Sequence, residues 1–279
     1  MTRPRSPALV SAHRCGAGDA VALENSLAAL EHALAIGADF VEFDVQRCRD
    51  GVLVVAHDDW VLSAGKKVPI AELTLAELGR TGPAGPAGEA PAVLRYEQVL
   101  DALAGSARAH LDLKFTSPDA SYADPAGTHE VAATALAVDR LGAENVIVTT
   151  LHDRAVWALR DWSDEHGLGL LVGLSLGRSV VGLPWHRQLR IRLSELLPRL
   201  RYLESRANLV VANHALARAG VARFARRRGL PLLVWTVDTP AALRYWMRPG
   251  RAWVVTTNHP RTALELRGGR FARSSGRHA

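Results

Sequence analysis

Four short stretches carry residue types that can do chemistry together: His13-Arg14, Glu42-x-Asp44, His57-Asp58 and Asp112-x-Lys114. Each lies on or just after a short apolar run. In a run that forms a strand, residues two apart share a face, so Glu42 and Asp44 point one way while Val41, Phe43 and Val45 point the other. Two carboxylates side by side on an inner face repel unless one is protonated or a cation lies between them. A hard divalent ion such as Mg²⁺ or Ca²⁺, which takes oxygen ligands, removes that conflict. Taken alone, such a pair more often marks an ordinary exposed strand face. The neighbouring stretches change the balance. A single histidine is usually structural, but two histidines, three acids, an arginine and a lysine at strand ends are hard to explain as packing. Histidine exchanges protons near neutral pH, and arginine and lysine recognise phosphate.

The elements that must position these residues alternate along the chain. Short apolar runs at 8–12, 40–45, 52–56, 110–114, 146–150, 169–174, 209–212, 232–236 and 253–256 predict strands. Between them, helical spacing predicts helices after Asn25-Ser26 and at 74–78, 96–103, 130–141, 155–166, 189–203, 215–228, 240–246 and 261–266. Strands alternating with helices imply a parallel sheet with crossover helices. About eight such units in one chain favour a closed (β/α)₈ TIM barrel, a single α/β domain, over an open doubly wound sheet. No glycine-rich nucleotide fingerprint follows the first strand. In a barrel the polar strand ends converge at the C-terminal mouth. Residues 81–91 read as a loop, and 178–206, longer than an ordinary crossover, as a basic helical insertion. The barrel is expected over 1–267, with a basic flexible tail at 268–279.

Composition sets the outer limits. The 279 residues are nearly half apolar and carry a net charge of +6, from 34 Lys plus Arg against 28 Asp plus Glu. Lysine occurs only at Lys66, Lys67 and Lys114; arginines gather at 187–206, 223–228 and 267–279. Such clusters suit anionic partners or a solvated surface equally well. They lack interleaved aromatics and match no recognition motif, so no nucleic-acid partner is expected. No apolar run approaches the ~20 residues that cross a bilayer, and the N-terminus lacks a secretory signal. Cys15 and Cys48 are too few for a disulfide framework or a structural zinc site, so a cytoplasmic location is expected.

These residues also match a family. Ala12-His13-Arg14, Glu24-Asn25-Ser26, Gly37-Ala38-Asp39, Glu42-Phe43-Asp44-Val45 and His57-Asp58 resemble, in order and spacing, the opening of the glycerophosphodiester phosphodiesterases. That family shows His-Arg-Gly, Pro-Glu-Asn-Thr, Gly-Ala-Asp, Glu-x-Asp-Val and His-Asp. Leu23 stands in for the proline, and the gap from His13 to Glu24 is slightly long. Fainter similarity continues through Leu111–Lys114, Trp235–Asp238 and Thr256–Pro260.

The resemblance implies a (β/α)₈ barrel that hydrolyses glycerophosphodiesters to sn-glycerol 3-phosphate and an alcohol. It implies Glu42, Asp44 and Asp112 as ligands of a divalent metal and His13 and His57 as the general acid and base. It places Arg14 and Lys114 on the phosphate, Trp235 in the pocket wall, and Glu24 beside the first histidine or the metal. Cys15 replaces the usual glycine, Asp112 the usual glutamate, Asp238 a frequent asparagine and Asn258 the usual aspartate. Cys15 and Asn258 are the features that fit the alternative of a catalytically weak phosphate-binding barrel. The leucines at 189, 193, 196, 197 and 200 are spaced as on a helix. Packing them onto the barrel is the ordinary use of that pattern. Facing an anionic membrane instead, they imply peripheral attachment and a lysophospholipase D-like enzyme acting on lysophospholipids.

Overall fold

The computed structural model describes residues 6–81, 93–178 and 180–274, and the side chains only as far as residue 268. The predicted loop at 81–91 lies, except for Thr81, outside the described residues. The strands are β1 (Leu9–Ala12), β2 (Phe40–Arg47), β3 (Leu53–Val55), β4 (Trp60–Ser63), β5 (Lys66–Pro69), β6 (Arg108–Leu113), β7 (Val146–Thr150), β8 (Leu171–Leu176), β9 (Leu209–Asn213), β10 (Leu232–Trp235) and β11 (Val254–Thr257).

Eight of them close a parallel barrel. The ladder runs β1-β2-β6-β7-β8-β9-β10-β11 and returns to β1, with every pairing parallel. Alternation does the sorting expected from the sequence. Val41, Phe43 and Val45 of β2 pack outward into the layer between barrel and helices, where Phe43 meets Tyr96 of the helix Tyr96–Leu103. Phe40 points inward and joins Ile147, Leu209, Val211, Leu233 and Val254 in an apolar plug. One inward position has no room for a side chain: a Cβ on Gly173 of β8 would lie 2.3 Å from Val211 Cγ2. Above the plug the inward residues turn polar, and there the candidate site begins.

The structure differs from the predicted elements in three places along the chain, one of them a hairpin where no element was predicted. Residues 52–56 are not a barrel strand. β2 runs past the barrel rim, and β3 folds back antiparallel on that extension, pairing Val45 with Val55 and Arg47 with Leu53. Asp50-Gly51 supplies the reversal, with Gly51 at φ 87° and its N–H donating to Cys48 O. Asp-Gly between apolar runs is a hairpin signal, and it outranks the barrel periodicity here. A second hairpin, β4–β5, follows. Its turn holds Ala64 and Gly65 both at positive φ, and alanine gives no sequence warning of that conformation.

The third difference is the insertion. Instead of one helix over 189–203 there are two, Trp185–Leu196 and Arg199–Ser205, divided at Pro198. Of the leucines expected to pack onto the barrel, only Leu196 is half-buried; Leu189, Leu193, Leu197 and Leu200 are exposed, as is Leu203. The insertion is fastened by polar groups instead. Buried Glu195 accepts from the backbone N–H groups of Gly177 and Arg178 at 2.9 and 3.1 Å. Tyr202 donates its hydroxyl to Leu174 O at 2.9 Å, and Arg201 pairs with Asp153. At the other end of the chain, the helix Pro260–Ser274 continues past residue 267 into the segment expected as a tail.

Candidate active site

β1, β2 and β6 bring the acids and cations together. Glu42 and Asp44 rise on the inner face of β2, and the register sets Asp44 beside Asp112 of β6. Oxygens of Glu42, Asp44 and Asp112 lie within 4.8 Å of one another. Two oxygens bound to one ion at about 2.3–2.6 Å are at most about 5 Å apart, so the three carboxylates fit a single hard cation. The electrostatics point the same way. Burial, then the charges of Asp44 and Asp112, hold Glu42 well above the usual carboxylate range, despite the Arg14 N–H that donates to it at 2.7 Å. Burial alone would raise Asp44 too, but Lys114 and the Asn25 amide, which donates at 3.0 Å, leave it below its ordinary value. Lys114 bridges Asp44, at 3.0 Å, and Asp112. Burial would lower its pKa, but those carboxylates outweigh burial and raise it. Buried Asp44 and half-buried Asp112 therefore share one ammonium, and Glu42 is left without a lysine or arginine ion pair among the described residues.

The two histidines reach this cluster by different routes. His13 follows β1 directly. His57 is carried back to the mouth by the β3 return, where Ala56 N donates to Asp44 O at 3.0 Å. His57 Nδ1 lies 2.8 Å from Asp58 Oδ1. His13 Nδ1 lies 2.7 Å from Asn258 Oδ1. Asn258 in turn donates to Asp238 through both its backbone N–H, at 2.9 Å, and its side-chain amide, at 3.0 Å. A carboxylate only accepts, so the Asn258 amide nitrogen must face Asp238 and its oxygen must face His13. His13 therefore carries its proton on Nδ1, and its Nε2 lone pair is directed toward the acid cluster, 3.9 Å from Glu42. Burial lowers the His13 pKa, only partly opposed by the Asn258 contact, so the ring is neutral at neutral pH. The two departures at 238 and 258 thus compensate: the carboxylate has moved one residue outward behind an amide.

Arg14 lies across the mouth. Its guanidinium binds Glu24 at 2.5 Å, and its Nε is 3.8 Å from Asp44. Glu24 thus sits on Arg14 rather than on His13. Arg14 and Cys15 both take left-handed backbone, φ 48° and 64°. Cys15 stands where glycine would be unstrained. Its thiol is buried, and burial together with Glu42 and Asp44 raises its pKa, so it is a protonated neighbour and not a nucleophile.

Four buried polar atoms without a hydrogen-bond partner cluster here: Arg14 Nε, Asn25 Oδ1, Trp235 Nε1 and Thr256 Oγ1. Buried polar groups are rarely left unpaired, and three of these four atoms are donors on residues that line the cavity with His13, His57 and the acids. The cavity is about 120 Å³ and is built to receive an acceptor-rich ligand. Leu151 and Ser175 also line a second cavity of about 430 Å³, walled by Ser117, Tyr122, Arg178, Arg201 and the insertion.

The sequence reading missed the polar floor. His110 Nδ1 lies 3.1 Å from Ser11 Oγ and its Nε2 3.2 Å from Thr149 Oγ1, which donates to Asp112 at 3.0 Å. The inward face shared with Glu42 and Asp112 is the signal that could have found His110. Complete burial, then the neighbouring His13, lowers its pKa to about 3. An unfolded histidine titrates near about 6.5, so between those values the unfolded chain binds the extra proton and stability falls as the pH falls. This group alone contributes a loss of about 1.4 kcal/mol per pH unit well below its unfolded pKa. A cation among the carboxylates would depress the pKa further and keep that sign. Urea unfolding at stepped pH should show a shallower decline for His110→Gln than for the wild type; equal slopes would contradict the assignment.

The comparisons with known proteins agree with this geometry. The model of the glycerophosphoryl diester phosphodiesterase family matches residues 13–262. The chain belongs to that family. The glycerophosphodiester phosphodiesterase of Caldanaerobacter subterraneus subsp. tengcongensis is 27% identical over 262 residues, 92% of this chain and 97% of that one. Mouse Lysophospholipase D GDPD3 is 48% identical over 58 residues, and that match spans only 17% of its length. Among solved structures, a glycerophosphoryl diester phosphodiesterase of Silicibacter pomeroyi superposes with a TM-score of 0.73 at 23% identity, covering 96% of this chain and 95% of the other. An Oleispira antarctica phosphodiesterase in complex with the product sn-glycerol-3-phosphate gives 0.65 at 18% identity, covering 93% and 96%. These structural likenesses establish the barrel, as expected for glycerophosphoryl diester phosphodiesterases.

Proposed function

We propose that the chain hydrolyses glycerophosphodiesters to sn-glycerol 3-phosphate and an alcohol, with a divalent cation, Mg²⁺ or Ca²⁺, held by Glu42, Asp44 and Asp112. The observation that carries this reading is the single cavity in which these acids, both histidines and the unpaired donors Arg14 Nε, Trp235 Nε1 and Thr256 Oγ1 meet. The family's reaction class and the product bound to the Oleispira relative support it. When bound, the cation polarises the phosphoryl group and offsets charge that grows in the transition state.

The residues of the chain do the rest. Arg14 and Lys114 hold the non-bridging oxygens; Lys114, fixed between Asp44 and Asp112, loses little freedom on doing so. One histidine takes the proton of the attacking hydroxyl, either water, which gives glycerol 3-phosphate directly, or the glycerol 2-hydroxyl, which gives a cyclic phosphate that water then opens. The other protonates the alcohol oxygen as its bond to phosphorus breaks. Each Nδ1 is engaged, His13 by Asn258 and His57 by Asp58, so each acts through Nε2. Asp238 and Asn258 hold His13 in the required tautomer. Trp235 walls the glycerol side, and the larger polar cavity past Leu151 and Ser175 accommodates the leaving alcohol.

The test is release of glycerol 3-phosphate from glycerophosphocholine and glycerophosphoglycerol with added Mg²⁺ or Ca²⁺. Turnover is expected with at least one metal; none with any diester would leave the weak phosphate-binding alternative standing.

A further inference from the structure

The insertion exposes what soluble surfaces usually cover. Trp185, Leu189, Leu193, Leu197, Leu200 and Leu203 are 49–75% exposed, six of the twelve large apolar side chains that stand exposed among the described residues. Trp185, Leu189 and Leu193 follow one another at intervals of four, forming one stripe along the outer side of the helix Trp185–Leu196. Its inner side is committed to the barrel by Glu195. On the next helix Leu200 and Leu203, at an interval of three, are exposed as well. Exposed large apolar side chains concentrated in one segment in this way mark a contact site.

The charges around the stripe say what it contacts. Arg187, Arg190 and Arg199 are exposed and have no ion pair among the described residues, whereas Arg192, Arg201 and Arg206 are paired with acids of the chain. Within 178–206 seven arginines face two glutamates, and one of these, Glu195, is buried. An apolar stripe beside free arginines suits a surface that is apolar inside and anionic at its face. A second copy of the chain is a poor match, because an isologous contact would set arginines against arginines.

Position in the barrel adds direction. The insertion follows the C-terminal end of β8, and exposed Leu23, Leu62 and Leu151 follow those of β1, β2 and β7. The exposed apolar groups therefore gather on the face where the candidate site opens.

We propose that this face docks on an anionic lipid bilayer, with the insertion helices lying in the interface and the mouth of the barrel turned toward the membrane. Trp185 and the leucines enter the boundary of the acyl chains while Arg187, Arg190 and Arg199 contact lipid phosphates. No helix among the described residues is long and apolar enough to cross the membrane, so attachment is peripheral. Binding of this kind is salt-dependent, because the arginines act at an exposed surface.

The experiment is co-sedimentation of the full chain with vesicles of phosphatidylcholine, with and without phosphatidylglycerol, alongside sedimentation equilibrium without lipid. Expected is binding to the anionic vesicles that weakens with salt and falls at least about tenfold in the double variant Leu189→Glu/Leu193→Glu. An Arg187→Glu/Arg190→Glu variant should lose the preference for phosphatidylglycerol. Circular dichroism shows whether each variant is folded, so binding is read independently of turnover. No binding at low salt, binding unchanged in both variants, or a self-association that the leucine variant dissolves would each overturn the proposal.

Discussion

His13→Ala is expected to lower kcat for glycerol 3-phosphate release by about 10²–10⁴-fold, the usual contribution of a positioned proton-transfer group. The fold should survive. His13 stands at the mouth of the barrel, on a 3₁₀ turn and not in the apolar plug. What it leaves behind is Asn258, still held by Asp238 through two bonds. His57→Ala should give a loss of the same order with a smaller stability cost, because the His57 side chain is 42% exposed and, among the described residues, its hydrogen bond is to exposed Asp58. Steady-state kinetics with a thermal-unfolding control checks both. Near-wild-type turnover in either variant would refute the two-histidine assignment. The supporting pair is separable from the histidines. Asp238→Ala frees the Asn258 amide to turn and offers His13 no fixed tautomer, so kcat should fall while substrate affinity holds.

The second large effect is expected on removing the cation. EDTA should abolish turnover, and Mg²⁺ or Ca²⁺ should restore it. A bound cation typically supplies several kcal/mol of transition-state stabilisation, and each 1.36 kcal/mol is about tenfold, so a loss of about 10²-fold or more follows. Stability gives an independent readout. Glu42, Asp44 and Asp112 are mutually repelling, and Lys114 neutralises them only in part. A cation that binds the folded chain stabilises it by about 2.7 kcal/mol when present at 100 times its dissociation constant. The thermal midpoint should therefore rise on adding metal to the wild type, and this rise should vanish in Asp44→Asn. In that variant Lys114 also loses one of its two acidic partners, so its charge is freer to reach a bound anion. EDTA-insensitive turnover, or a metal-induced shift that persists in Asp44→Asn, would sink the metal assignment.

These two effects meet at Glu42. Its carboxylate accepts from Arg14 N and lies 3.9 Å from His13 Nε2, so the acid cluster and the proton-transfer group share one edge. A change that shifts β2 by a fraction of an ångström would disturb both. The tight fit of Gly173 against Val211 in the layer below is one reason the barrel interior resists such a shift.

Much of this site could be read from the residues alone. Period-two alternation on β2 puts Glu42 and Asp44 on one face and Val41, Phe43 and Val45 on the other whatever the rest of the chain does, because alternation is a local property of a strand. Short apolar runs alternating with amphipathic helices likewise imply a parallel sheet covered on both faces, and about eight such units favour closing it into a barrel. The family motif added the order of His13, Glu42, Asp44 and His57. What only the tertiary structure decided depends on contacts between distant segments. That β3 folds back, and so delivers His57 from above the barrel rather than from one of its strands, was settled by the Asp50-Gly51 turn and the pairing of Val45 with Val55. That Asp238 and Asn258 form one relay to His13 depends on segments more than two hundred residues apart along the chain being adjacent in the closed barrel. Leucine spacing predicted the helical character of the insertion but not which way its leucines face. Glu195, Arg201 and Tyr202 decided that by anchoring the insertion through polar groups, which left its apolar side outward.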